Sequence, residues 1–291
     1  SMKARLFSSD KTFRIVLLLC ALMVPAIALC IIVTLITNST EAFEQFGFLG
    51  FISSSDWIVT EGHESYGAFS FIAGTLYTTL LALLLCTVLA LPIALFCGEY
   101  YRGKPVSKFL STITSLLAGI PSIIYGLWGF FALRPLIISL GLSEVGCGVL
   151  TAAMILAVMI VPYAANLSIE FIRMVPNDLK ESAYSLGATR AEVIRHVVLP
   201  TAGAGIFSAF ILAMGRAIGE TMTVTMLIGN TNNIPQSLVD TGNSMASIIA
   251  NQFGEADGLK LSALIAIGLT LFGITAIVNM IGKLLIKKAR V

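Results

Sequence analysis

The sequence predicts an all-α polytopic membrane protein with six transmembrane helices, and three observations carry that prediction. The 291 residues are 57% hydrophobic and only 12% charged, a balance outside the range of soluble globular domains. Apolar stretches of the roughly 20 residues needed to cross a hydrocarbon core recur along the chain. Basic residues then fall almost entirely into alternate loops.

The spans are expected at about 14–37, 69–97, 107–139, 147–172, 202–229 and 261–285. The first is too long for the apolar part of a signal peptide, and no small-residue cleavage site follows it, so it reads as an uncleaved helix. Residues 38–68 mix Phe43, Phe46, Phe48 and Phe51 with acids and glycine, which suggests an amphipathic stretch at the interface with Trp57 as an aromatic anchor. The third stretch contains Gly119-Ile120-Pro121-Ser122 near its middle. Pro121 kinks or breaks the helix; a restart there exposes amide donors at membrane depth, with Ser122 available to cap it. Between the fifth and sixth spans, NTNNIPQ reads as turn and SMASIIANQF as a short helix. The two long outer loops either cap the mouth or form a contact face for an extracytoplasmic binding protein. The resulting organisation is a segment 1–13, a first helix and interfacial loop 14–68, a core 69–286 containing the loop 173–200, and a basic tail 287–291.

Of the 18 Lys and Arg residues, all but Arg134, Arg216 and Lys260 lie on one side of a six-span arrangement. Glu41, Glu44, Asp56, Glu61, Glu64, Glu144, Asp240, Glu255 and Asp257 lie on the other. Basic loops stay in the cytoplasm, so both termini are expected there. The five cysteines show no metal-ligand spacing and read as small core hydrophobes.

Residues 181–200, ESAYSLGATRAEVIRHVVLP, form a polar interruption between two apolar spans. Asn177 is expected to cap a helix whose Leu179, Ala183 and Leu186 share one stripe. Gly187 suits the position that ends it. Thr189 with Glu192 three residues on is a capping-box pattern for a second helix. Pro200, after Leu199, should stop that helix and turn the chain into the next span. Small Ala183 and Gly187 allow a partner's surface close to the backbone, while Glu181 and Arg190 offer it charge. A hairpin resting on lipid headgroups is the other reading.

Arg216 falls inside the fifth span, about 21 Å along it at 1.5 Å per residue. A charge at that depth costs at least about 2.5–3.5 kcal/mol, so it should be paired, face a wet cavity, or both. Glu220 lies four residues on, where an intrahelical pair is available. Either the pair joins helices, or Arg216 binds an oxyanion while Glu220 orients it. Thr223 is expected to face the same pathway, with Thr221 a second candidate.

The 181–200 hairpin resembles the EAA loop of the membrane subunits of ATP-binding-cassette importers, with Ser182 and Val197 as conservative departures. Ala118-Gly119-Ile120-Pro121-Ser122-Ile123-Ile124-Tyr125-Gly126-Leu127-Trp128-Gly129 and Gly215-Arg216-Ala217-Ile218-Gly219-Glu220-Thr221 resemble the phosphate transport permease family of PstC type, from about residue 66 onward. The resemblance implies a type I importer permease fold, inorganic phosphate as cargo, and a part in transport for Arg216 and Glu220; Thr223, Ser122 and Tyr125 are expected on the same substrate pathway. It also implies coupling to an ATPase through Glu181, Ala183, Gly187, Arg190, Leu199 and Pro200. Implied partners are a PstA-like second permease in a heterodimer, a PstB-like ATPase dimer and a PstS-like binding protein, together with membrane lipid and no nucleic acid.

No G-x-x-x-x-G-K-[ST] pattern occurs, so the chain is expected to bind no cofactor itself, ATP and Mg being used by the partner ATPase. His63 and His196 both fall outside the spans and suggest no metal chemistry. A permease for another oxyanion and a passive anion channel remain as alternatives.

Overall fold

The computed structural model describes the backbone of residues 2–60 and 62–289, and the side chains of residues 11–60 and 62–287. Glu61 and the side chains of Lys3, Arg5, Lys288 and Arg290, which enter the charge pattern above, lie outside the described residues. Six helices among the described residues are long and apolar enough to cross a membrane.

α1 (Met2–Asn38) continues unbroken through Pro25. Two short helices follow, α2 (Thr40–Phe46) and α3 (Phe48–Ser53), then a two-residue antiparallel ladder of β1 (Trp57–Ile58) with β2 (Ser65–Tyr66). α4 (Phe69–Leu95) runs on through a wide π turn at Phe96–Tyr100.

The stretch expected as one span at 107–139 is two helices. α5 (Pro105–Ala118) ends at Gly119, and the chain restarts as α6 (Ser122–Trp128), a π turn at Gly129–Leu133 and α7 (Arg134–Ser139). Of these, Ser122–Ser139 is the apolar span. The break follows from Pro121, which lacks a donor and forces Ile120 out of helical geometry. Ser122 does not cap the restart: Pro121 holds that position, and no side chain bonds there.

α8 (Val149–Arg173) is the central helix, with 72% of its apolar window buried. After α9 (Asn177–Ser185) and α10 (Arg190–Val193), a π turn at Ile194–Val198 leads into α11 (Leu199–Ile218). Pro200 therefore does not stop the helix; Arg190–Ile218 is one rod. The π turn widens the spiral just before the proline, relieving the clash and the lost bond that a proline imposes on the preceding turn. The fifth span breaks instead at Gly219–Thr221, and α12 (Met222–Leu227) follows. α13 (Met245–Gln252) is the expected short helix, and α14 (Gly258–Ala289) closes the chain.

α4, α8 and α11 pack together through small residues, among them Ala82, Cys86 and Ala90 against Ala152, Ala153, Ala157, Ala213 and Ala217. In lipid, close backbone approach replaces the hydrophobic drive that water supplies, and alanines permit it. α1 stays outside this core: none of its apolar window is buried, and its long neighbour is α14.

The expected interfacial anchor Trp57 is instead buried, edge-on to Tyr66 and Phe71, and its indole N–H donates to Gln252 Oε1 at 3.1 Å. Both outer loops thus share a core with α13 and α14, which also holds Phe51, Met245 and Ile248. Ser55, Asp56, Asn232, Asn233, Gln236 and Asp240 line a polar recess of about 610 Å³ at this acidic end.

Candidate functional site

Two breaks meet beside α8. α6 and α12 pack face to face, and Gly126 makes this possible: a Cβ there would sit 2.7 Å from Met226 Sδ and 3.4 Å from Thr223 Cα. Thr223 is fully buried, and its hydroxyl donates to the Ser122 carbonyl at 2.8 Å. Thr223, expected on the pathway, ties the two restarted helices together. Tyr125, also buried, donates its hydroxyl to Leu117 O at 2.7 Å, adding to the Ile120 N–H that the same carbonyl accepts where α5 ends. Sequence reasoning placed Ser122, Tyr125 and Thr223 in one region, and the structure brings them together as a joint.

Arg216 and Glu220 do not form the expected intrahelical pair. The helix ends at Ile218, so four-residue spacing no longer puts the two side chains on one face. Arg216 is exposed, lies in the last turn of α11, and has its guanidinium 4.9 Å from the centroid of Tyr163. It makes no ion pair among the described residues. Glu220 is buried, and its carboxylate accepts the backbone N–H of Thr223 at 3.4 Å. Each charge therefore sits at the helix end whose dipole compensates it: the cation at the C-terminus of α11, the anion at the N-terminus of α12. The break itself stabilises both charges.

Tyr163 is the residue that sequence reasoning missed. It lies one turn from Met159 on α8, and Met159 touches the Thr223 hydroxyl at 3.8 Å. The Tyr163–Arg216 relation joins residues far apart in sequence and leaves no local signal.

The hairpin follows its expected chemistry with corrections. Pro176, not Asn177, holds the N-cap of α9. Gly187 takes φ +84°, a conformation that glycine adopts freely, and faces open space. The capping box forms: Thr189 N–H donates to Glu192 Oε2 at 2.7 Å, and the Thr189 hydroxyl accepts from Glu192 N–H at 3.4 Å. The Thr189 N–H, together with the Thr189 hydroxyl donating to the same Oε2 at 2.7 Å, holds the Glu192 carboxyl below its ordinary range. The stripe splits: Leu179 and Leu186 are exposed, Leu186 to 89%, whereas Ala183 packs toward the membrane-side core. Glu181 is exposed. Arg190 is exposed and folds back along the chain, donating to Glu99 O at 3.2 Å and to Tyr100 O, and lies over the Tyr100 ring. Leu199 joins the same inner cluster as Ala183, and Pro200 is exposed.

Six helices able to cross a membrane, a polar hairpin between two of them and a pair of broken helices make up a polytopic membrane fold. Residues 90–291 match the family of binding-protein-dependent transport system inner membrane components. The chain belongs to that family, and to its PstC-type branch. It is 40% identical to the phosphate transport system permease protein PstC of Pasteurella multocida (strain Pm70), covering 92% of this chain and 88% of that protein. Its identity to the PstC of Haemophilus influenzae (strain ATCC 51907 / DSM 11121 / KW20 / Rd) is 38%, over 96% and 93% of the two chains. Among solved structures, an inward-facing MetNI methionine ABC transporter superposes with a TM-score of 0.59 at 20% identity, over 74% of this chain and 93% of that one. The fold is that of an ABC importer permease, and the protein is a multi-pass membrane subunit that works with an ATPase and a substrate-binding component.

Proposed function

We propose that this chain translocates inorganic phosphate through an ATP-driven importer, with both termini in the cytoplasm. Arg216 carries the reading: a guanidinium without an acidic partner among the described residues, exposed at a helix break. Its fork matches a tetrahedral oxyanion in two parallel bonds, and cargo supplies the missing negative charge. Glu220, committed to the restart of α12, leaves that guanidinium free. The named relatives are phosphate permeases, which favours phosphate over other oxyanions.

The expected partners are a PstA-like second permease, a PstB-like ATPase dimer and a PstS-like binding protein. Exposed Leu179, Glu181 and Leu186, with the open face of Gly187, suit a groove on the ATPase. Burying Leu186 there contributes about 1.5–3 kcal/mol. The test is co-purification with the partner subunits, followed by uptake in liposomes. Phosphate uptake that needs ATP and is not matched by sulfate or molybdate supports the proposal. Equal uptake of all three points to a general oxyanion permease, and flux without ATP to a channel.

A further inference from the structure

The hairpin is fastened to the rest of the chain by apolar contact, with Ala183, Val193 and Val198 packed beside Cys97 and Ile172, and also by charge. Lys180 is the buried residue of α9, and its ammonium meets Glu99 Oε2 at 2.5 Å. The two side chains are 7% and 10% exposed, and this is the only ion pair among the described residues. Glu99 stands in the π turn that ends α4. The carbonyls of that turn are claimed from the same direction: Arg173 donates to Cys97 O at 3.1 Å, and Arg190 to Glu99 O and Tyr100 O. Three cations thus gather where the orphaned carbonyls and the negative end of the α4 dipole lie.

We infer that the Glu99–Lys180 pair is the joint through which motion of the hairpin is passed to α4, making both of them positioning residues for transport. This rests on the reading of the hairpin as the ATPase dock. A buried pair adds little net stability over an apolar contact, so stability does not explain its presence. What it does supply is a fixed attachment point: separating the partners leaves a charge buried and unpaired, so α9 and the end of α4 move as one. An apolar contact permits sliding at little cost. At its far end α4 is attached again, where the Thr75 hydroxyl accepts the N–H of Met245 at 2.9 Å. A push on α9 therefore tilts a rod that reaches from the basic end to the cap at the acidic end.

The test uses the full complex with its partner subunits in liposomes, carrying Glu99→Gln, Lys180→Met or the exchange Glu99→Lys with Lys180→Glu. ATPase co-purification, ATP hydrolysis and phosphate uptake are measured together. Each single change is expected to leave the ATPase bound while lowering phosphate taken up per ATP by about tenfold, and the exchange to restore most of it, as coupled pairs do. Unchanged uptake per ATP in the single variants overturns the joint. So does loss of assembly that the exchange fails to repair, which marks the pair as structural only. The dock is checked separately: if Leu186→Glu leaves ATPase binding intact, the docking reading fails whatever the Glu99 variants do.

Discussion

The guanidinium of Arg216 lies over the ring of Tyr163, 4.9 Å from its centroid, and not against Glu220. An aromatic face orients a cation without neutralising it, so an arriving anion meets a full charge. Arg216→Gln should abolish uptake while the complex still assembles. Tyr163→Phe keeps the ring and should transport within about twofold of the parent, whereas Tyr163→Leu should lose about two- to fivefold, the worth of an exposed cation–π contact. Uptake assays on complexes normalised by subunit content measure both.

Because Arg216 and Glu220 are separately satisfied, their substitutions should act independently on stability. Thermal unfolding in detergent of Arg216→Gln, Glu220→Gln and the double variant should be additive to within about 0.5 kcal/mol. A coupling well above that would restore the ion pair.

Thr223→Val removes one hydroxyl at nearly constant volume and takes one donor from the part-buried Ser122 carbonyl. The expected loss is about 1–3 kcal/mol, and Thr223→Ser should recover most of it. Melting temperature in detergent provides the comparison.

At the hairpin, Gly187→Trp forces a side chain onto φ +84° and fills the open face there. ATPase binding should weaken by at least about tenfold, strain and bulk acting together. Binding and transport that both survive would move the dock elsewhere.

The capping box has a definite sign with pH. The backbone N–H and hydroxyl of Thr189 favour charged Glu192, so its folded value lies below the ordinary 4.5. Its contribution is complete above the ordinary glutamate range and fades as pH falls through the depressed value. The protection of the α10 amides, with exchange rates divided by their intrinsic values at each pH, should therefore fall on acidification over that window, and Glu192→Gln should flatten the response.

Periodicity and hydropathy located the spans well where the chain is continuous: α8 begins and ends within two residues of the stretch 147–172. They failed where helices break without losing apolarity. Pro121 advertised its break, because a missing donor is visible in the letters. Gly219-Glu220-Thr221 did not, since glycine and threonine are ordinary within membrane helices. The Arg216–Glu220 spacing misled for that reason, a four-residue interval being a contact only while the helix persists. Pro200 misled in the opposite sense, because a wider preceding turn carries the helix through. Trp57 looked interfacial by composition, and its partner Gln252 is 195 positions away.

α1 meets the remainder of the chain chiefly along α14 and at α2, and its apolar window buries nothing. Its sequence answers to bilayer thickness and to insertion rather than to a jigsaw of neighbours. This outrigger should therefore tolerate wholesale exchange for an unrelated lipid-facing segment of equal length, while the machinery beside it carries on unchanged.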